Sequence, residues 1–127
     1  MNVFMTGGTG FVGTFLSRQL VTNGHSVTIL AQSKPSAKGN LKGIGYIEGL
    51  STQKGEWQKS VPEHDAVINL AGASIFSRWT QKQKQLILSS RINTTRNIVD
   101  ALPDNADHFT IISASAVGYY GFTGNEE

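Results

Sequence analysis

Thr6-Gly7-Gly8-Thr9-Gly10-Phe11-Val12-Gly13 is the stretch that decides how this chain reads. Gly8, Gly10 and Gly13 satisfy G-x-G-x-x-G, and Gly7, Gly10 and Gly13 satisfy G-x-x-G-x-x-G. Just before it, Val3 to Met5 is a short apolar run that suits a strand buried on both faces. Just after it, Val12, Phe15, Leu16 and Leu20 recur at helical spacing, and Asn23-Gly24 supplies a stop signal. Strand, glycine turn and helix in that order are the setting in which such a motif carries chemistry. A side chain in the turn would clash with a pyrophosphate. Glycine lets the backbone approach the phosphates, while the helix N-terminus adds free N–H donors and a positive dipole end. Gly13 lets the helix close on the strand. The alternative is a tight strand-to-helix turn with no ligand. A Walker A loop is excluded, because no Gly-Lys-Ser/Thr follows.

Beyond this first unit, Ser26 to Ala31 is β-branched and apolar and predicts a second strand. Residues 32–43 are polar, carry Pro35, Gly39 and Gly43, and read as a loop. A short strand is expected over 44–48 and a short helix over 53–60, ahead of Pro62. Residues 66–72 form another apolar strand running into glycine. Thr80 to Leu102 is the longest helical pattern, with Leu88, Ile92, Thr95, Val99 and Leu102 stepping by four, three, four and three. Thr80 can cap it and Pro103 marks its end. Residues 109–113 make the last strand, after which the chain is rich in Gly, Ser and Tyr. Apolar strands alternating with helices predict an α/β fold of the Rossmann type, a doubly wound parallel sheet of five strands ordered 3-2-1-4-5. Residues 1–127 are expected to form one domain.

Composition narrows the function. Hydrophobic residues are 39% and charged residues 16%, which argues against disorder. The chain has no cysteine, which removes disulfides, thiolate metal sites and a cysteine nucleophile. His25, His64 and His108 share no ligand spacing, so no metal site is expected. The net charge is only +2 and no basic block stands out, so nucleic acid is not an expected partner. The start of the chain shows no positive leader, and no run reaches the roughly 18 to 20 apolar residues that span a bilayer. The expectation is therefore a cytoplasmic protein without a membrane partner.

The residues after the second strand bear on which dinucleotide fits. NAD-preferring sites place an acidic residue there, to hold both ribose hydroxyls. Here the chain reads Gln32-Ser33-Lys34, with no Asp or Glu. Ser33 and Lys34 could instead hold a 2′-phosphate, which favours NADP over NAD. The bland alternative for Lys34 is a solvated loop lysine.

Thr6 to Gly13, Asp65 to Gly72 and Ser113 to Gly121, taken together, resemble the extended short-chain dehydrogenase/reductases, the NAD-dependent epimerase/dehydratases. Asn69 to Gly72, Arg78 to Thr80, Ser90 to Ile92 and Ser115 to Gly121 look closer to an atypical epimerase-family branch. The resemblance covers nearly all of the chain, with its motifs in the family's order. It implies that Thr9, Gly10, Phe11 and Val12 lie along the pyrophosphate, with Gly7, Gly8 and Gly13 as further cofactor-binding residues of the same loop. Gln32, Ser33 and Lys34 join the candidate cofactor-binding residues, and Asp65 could serve the adenine edge. Leu70, Ala71 and Gly72 would line the adenosine and ribose side. Ser113 and Ala114 would end the fifth strand beside the nicotinamide. Ser115 matches the family's catalytic serine, which hydrogen-bonds a substrate oxygen. These segments fall at the carboxyl ends of strands, where ligands bind in such sheets.

Each position also has a plain reading. Asp65 could be a turn residue, Asn69 could satisfy buried backbone groups, and Ser113 and Ser115 could serve close packing. Arg91 and Arg96 read as exposed helix residues. Arg78 and Trp79 could line a substrate pocket, although simple packing is the better reading of Trp79. The family's Tyr-x-x-x-Lys pair does not occur: Tyr46 is followed four residues on by Leu50, Tyr119 by Thr123 and Tyr120 by Gly124. Family members also run to roughly twice this length, so the chain reads as an N-terminal nucleotide-binding part. Two functions stay open. One is the NAD(P)-binding part of an oxidoreductase or sugar-nucleotide-epimerase-like protein with a small-molecule substrate. The other is a non-catalytic dinucleotide-binding module with a regulatory or redox-sensing role. Either could act as a homodimer.

Overall fold

A computed structural model describes residues 1–33, 42–107 and 109–115. The elements are β1 (Asn2–Thr6), α1 (Phe11–Thr22), β2 (Ser26–Ala31), β3 (Ile44–Glu48), a 3₁₀ segment (Glu56–Glu63), β4 (Ala66–Asn69), α2 (Gln81–Val99) and β5 (Thr110–Ser113). The five strands pair in parallel in the order β3-β2-β1-β4-β5, as the alternation of apolar runs predicts. β1 is central: Phe4 stands opposite Thr28 of β2 and Val67 of β4. Such a strand is covered on both faces, which is why Val3, Phe4 and Met5 are all buried and all apolar.

Two cores flank the sheet. On the α2 face Phe4, Leu30, Trp57, Val61, Val67, Ile98 and Ala101 pack together. The Trp57 ring stacks on Phe4 with centroids 5.9 Å apart and planes 18° apart. His64 meets Phe4 edge-on, while its ring nitrogens contact the Ser60 carbonyl oxygen at 2.7 Å and Thr28 Oγ1 at 2.8 Å. On the α1 face Val3, Met5, Val27, Ile29, Ala31 and Ile68 pack against Leu16, Leu20 and Val21.

The most deeply buried positions of the helices are mainly small residues, beside Ile98 of α2. Gly13 and Ser17 are the buried positions of α1, while Val12 and Phe15 are 59% and 67% exposed. In α2 the buried positions are Ser90, Thr94, Asn97 and Ile98. The apolar steps Leu88, Ile92 and Val99 lie on the opposite side, exposed. Periodicity thus identifies the helix but not the side that faces the sheet. Thr80 caps α2 as expected, its Oγ1 accepting from Gln83 N at 3.2 Å.

Three boundaries differ from the sequence expectation. α2 ends at Val99 rather than Leu102. The helix expected over 53–60 is a 3₁₀ segment displaced to Glu56–Glu63, with Pro62 inside it. Separate turns closing on the third residue tolerate a missing N–H better than a continuous α-helix does. β4 stops at Asn69 rather than running to Gly72. Its ladders to β1 and β5 end at Thr6 and Ser113, so Ala71 and Gly72 pair with neither strand. Among the described residues no helix is long and apolar enough to cross a membrane.

Candidate functional site

The turn after β1 is built so that only glycine fits. Gly7 has φ +71°, a conformation costly for any residue with a side chain. A β-carbon there would also lie 2.6 Å from the Leu70 carbonyl carbon and 2.7 Å from Ala71 N. At Gly13 a β-carbon would lie 2.6 Å from Gly8 Cα and would overlap the Gly7 carbonyl oxygen. Gly10 is different. The nearest atom to a β-carbon there is the Gly7 oxygen at 3.2 Å, so the space in front of it is open.

α1 starts beyond Gly10, and no side chain caps it. Its first backbone bond runs from Thr14 N to the Gly10 carbonyl at 2.9 Å. The amides of Phe11, Val12 and Gly13 are therefore the free donors at the positive end of the helix. The Phe11 side chain is 97% exposed, so the contribution of this residue to the turn is its backbone.

The glycine turn and the helix N-cap Gly10 open onto a cleft of about 700 Å³ at the carboxyl ends of the strands, a size usual for small-molecule sites. Gly7, Thr9 and Gly10 form one wall, and Leu30 to Ser33 follow from the end of β2. Gly49 to Thr52 close the β3 side, Leu70 to Ala73 the β4 side, and Leu86, Ser90 and Thr94 project from α2. Among the described residues, no charged side chain stands in this wall.

Hydrogen bonds fix the wall. Ser51 Oγ and Thr94 Oγ1 are 3.0 Å apart, and Asn97 Nδ2 donates to the Ser51 carbonyl at 2.9 Å. Ala73 N donates to Ser90 Oγ at 3.0 Å, tying the loop after β4 to α2. Beneath the cleft Asn69 is a buried hub. Its Oδ1 accepts from Thr6 Oγ1 at 2.6 Å, and its Nδ2 donates to Thr95 Oγ1 and Ser113 Oγ at 3.3 Å each. Asn69 thus bonds side chains, where its plain reading had it serving backbone groups.

Of the residues singled out in the sequence, Gly7, Thr9, Gly10, Gln32, Ser33, Leu70, Ala71 and Gly72 come together in the wall. Gly8 and Gly13 lie buried behind it and shape the turn. Ser113, Ala114 and Ser115 are exposed at the carboxyl end of β5, outside the wall. Lys34 and residues 116–121 of the last motif lie outside the described residues.

Asp65 is corrected. It precedes β4 at the opposite end of the sheet, where its carboxylate accepts from Asn2 N at 2.6 Å. The length of β4, four residues at about 3.3 Å each, separates it from the cleft, so it cannot serve an adenine edge there.

Sequence reasoning missed Gly49 to Thr52 and the α2 pair Ser90 and Thr94. The first follow from applying the strand-end rule to β3 as well as to β2, β4 and β5. The second are small hydroxyl residues spaced i, i+4 on one helix face.

Known proteins bear on this geometry. The model of the NAD dependent epimerase/dehydratase family matches residues 3–127. The chain is 47% identical over 122 residues to the epimerase family protein YfhF of Bacillus subtilis, covering 95% of this chain and 39% of that protein. It is 36% identical over 124 residues to an Arabidopsis thaliana epimerase family protein, the chloroplastic SDR39U1 homolog, covering 95% and 36%. The chain thus spans under two fifths of the length of these relatives. Among solved structures, the human epimerase family protein SDR39U1 with NADPH superposes with TM-score 0.69 at 28% identity, over 94% of this chain and 38% of that one. A UDP-glucose-4-epimerase from Stenotrophomonas maltophila with bound NAD and formylated UDP-arabinopyranose gives TM-score 0.76 at 23% identity, over 95% and 38%, a likeness of fold.

Proposed function

The chain belongs to the NAD dependent epimerase/dehydratase family, and from that premise we propose that its cleft holds a nicotinamide dinucleotide, NADP in preference to NAD. Residues 1–127 would be the cofactor-binding domain of an oxidoreductase or epimerase-like protein. The observation that carries this is the glycine turn. Gly7 and Gly13 leave room for nothing but backbone, and the uncapped N-terminus of α1 joins the cleft wall at Gly10, where none of the described lining side chains is charged. That arrangement suits a diphosphate, which backbone donors and the helix dipole can hold without a counter-charge in the wall. The human relative solved with NADPH supports the choice of ligand.

On this reading the amides of Phe11, Val12 and Gly13 hold the pyrophosphate. Gln32 and Ser33, with Gly49 to Thr52, take the adenosine at the β2 and β3 exits, and Ser33 with Lys34 takes the 2′-phosphate. Leu70 to Gly72 line the ribose side. The dinucleotide, when bound, supplies a hydride donor or acceptor. Ser115, at the end of β5, would hold a substrate oxygen by hydrogen bond. Titration calorimetry with NADPH and NADH tests the proposal: NADPH should bind, and more tightly than NADH. A folded sample that binds neither would overturn it. Binding in a full-length protein that turns over no carbonyl or sugar-nucleotide substrate would favour the regulatory module instead.

A further inference from the structure

Asn23-Gly24 ends α1, and it is the single Asn-Gly pair in the chain. Three backbone bonds close the helix there, each 3.0 Å long. Asn23 N donates to the Gln19 carbonyl, Gly24 N to the Val21 carbonyl and His25 N to the Leu20 carbonyl. Gly24 stands at φ +82°, the left-handed conformation that brings the last two bonds about. The turn is open to water. Asn23 and Gly24 are both exposed, and a β-carbon on Gly24 would meet nothing within 4 Å.

A glycine after asparagine also permits a reaction. With no side chain in the way, the backbone nitrogen of Gly24 can attack Asn23 Cγ. A bond forms between that nitrogen and Cγ, and the bond from Cγ to Nδ2 breaks. The leaving nitrogen takes up the proton that Gly24 N gives up and departs as ammonia, and a five-membered imide remains. Water then opens the imide. Opening at Cγ gives aspartate, and opening at the main-chain carbonyl gives isoaspartate.

The folded turn opposes the first step in two ways. Ring closure requires Gly24 N to eclipse Asn23 Cβ about the bond from Cα to C. At the observed ψ of 13° Gly24 N nearly eclipses Asn23 N instead, which leaves the tetrahedral Cβ a third of a turn away. The proton that must leave is also held by the Val21 carbonyl. The reaction therefore waits for the cap to open, and helix ends open more readily than a sheet core does.

We propose that Asn23 is a site of spontaneous deamidation, timed by opening of the α1 C-cap rather than by unfolding of the whole chain. The change is permanent. Isoaspartate adds a methylene to the main chain between Asn23 and Gly24, so the Gly24 and His25 bonds lose their register. Aspartate puts a carboxylate at the negative end of the helix. Leu20 and Val21, which pack α1 against the sheet, lie in the turn that this cap holds.

The test is incubation of the chain in neutral buffer, followed by mass spectrometry of the tryptic fragment 19–38, in which Asn23 is the one asparagine. The exchange of amide for acid shifts its mass, and electron-transfer fragmentation tells isoaspartate from aspartate. The folded chain should react, at least about tenfold more slowly than the same chain in urea. Gln19→Gly, an exposed change that loosens the last turns of α1, should speed the folded reaction about threefold. Val61→Ala lowers the stability of the whole chain from the core on the α2 face, and should leave the rate within about twofold. An intact Asn23 in a folded chain whose urea-unfolded form reacts would overturn the proposal. So would equal rates folded and unfolded, an unchanged rate in Gln19→Gly, or as large an acceleration by Val61→Ala as by Gln19→Gly.

Discussion

Thr6 Oγ1 donates to Asn69 Oδ1 at 2.6 Å, and both side chains are buried between β1 and β4. The bond lies at the last paired register of the two strands, immediately below the point where both chains leave the sheet to form the cleft. Asn69→Leu keeps the volume and removes every partner. It should cost about 2 to 3 kcal/mol, since the Thr6 hydroxyl is then buried without an acceptor. Thr6→Val in that background should restore about 1 kcal/mol, a coupling that urea denaturation of the four-member cycle would detect. Additive losses would show that the pair is not coupled.

Gly10 and Gly13 should separate ligand from architecture. Gly13→Ala drives a methyl into Gly7 and Gly8 and should lower stability by about 1 to 3 kcal/mol while abolishing dinucleotide binding. Gly10→Val meets only open space beyond one 3.2 Å neighbour. Its melting temperature should stay within a few degrees of wild type, yet its bulk should block the dinucleotide. Full retention of affinity in Gly10→Val would contradict the proposed pose.

Nucleotide choice should respond to charge after β2. Ser33→Asp places a carboxylate where a 2′-phosphate would sit, and should shift preference from NADPH towards NADH by at least roughly tenfold. Lys34→Ala should weaken NADPH more than NADH. Parallel titrations with both nucleotides give the ratio, and an unmoved ratio in both variants would remove the 2′-phosphate role from this turn.

Asp65→Ala should act on the fold alone. The carboxylate accepts from the Asn2 amide at the start of β1, so its loss should cost about 1 kcal/mol of stability. Dinucleotide affinity, measured well below the melting transition, should not change. A selective loss of binding would return Asp65 to the cofactor.

The fold was legible because its strongest constraints are local. Apolar runs bounded by glycine and proline marked all five strands, and the glycine motif after the first strand fixed their order by way of known topology rules. What escaped was orientation. The steps Leu88, Ile92 and Val99 look like a buried stripe, but Ser90, Thr94 and Asn97 face inward, because α2 serves as a cleft wall and must bond Ser51 and Ala73. Asp65 was misplaced for a related reason: sequence proximity to β4 does not say which end of the strand a residue occupies. The residues after β3 went unseen because Gly49 to Thr52 carry no motif and become a wall only once the parallel sheet is assembled.

The contact between Gly7 and the Leu70–Ala71 peptide has a mechanical consequence. Two loops from neighbouring strands touch backbone to backbone, with no side chain between them to absorb a displacement. They should therefore stiffen as one body. Ligand held by the glycine turn should slow amide hydrogen exchange at Leu70 and Ala71 as well as at Phe11 to Gly13, so the quietest backbone of the loaded protein should span two elements 60 residues apart in sequence.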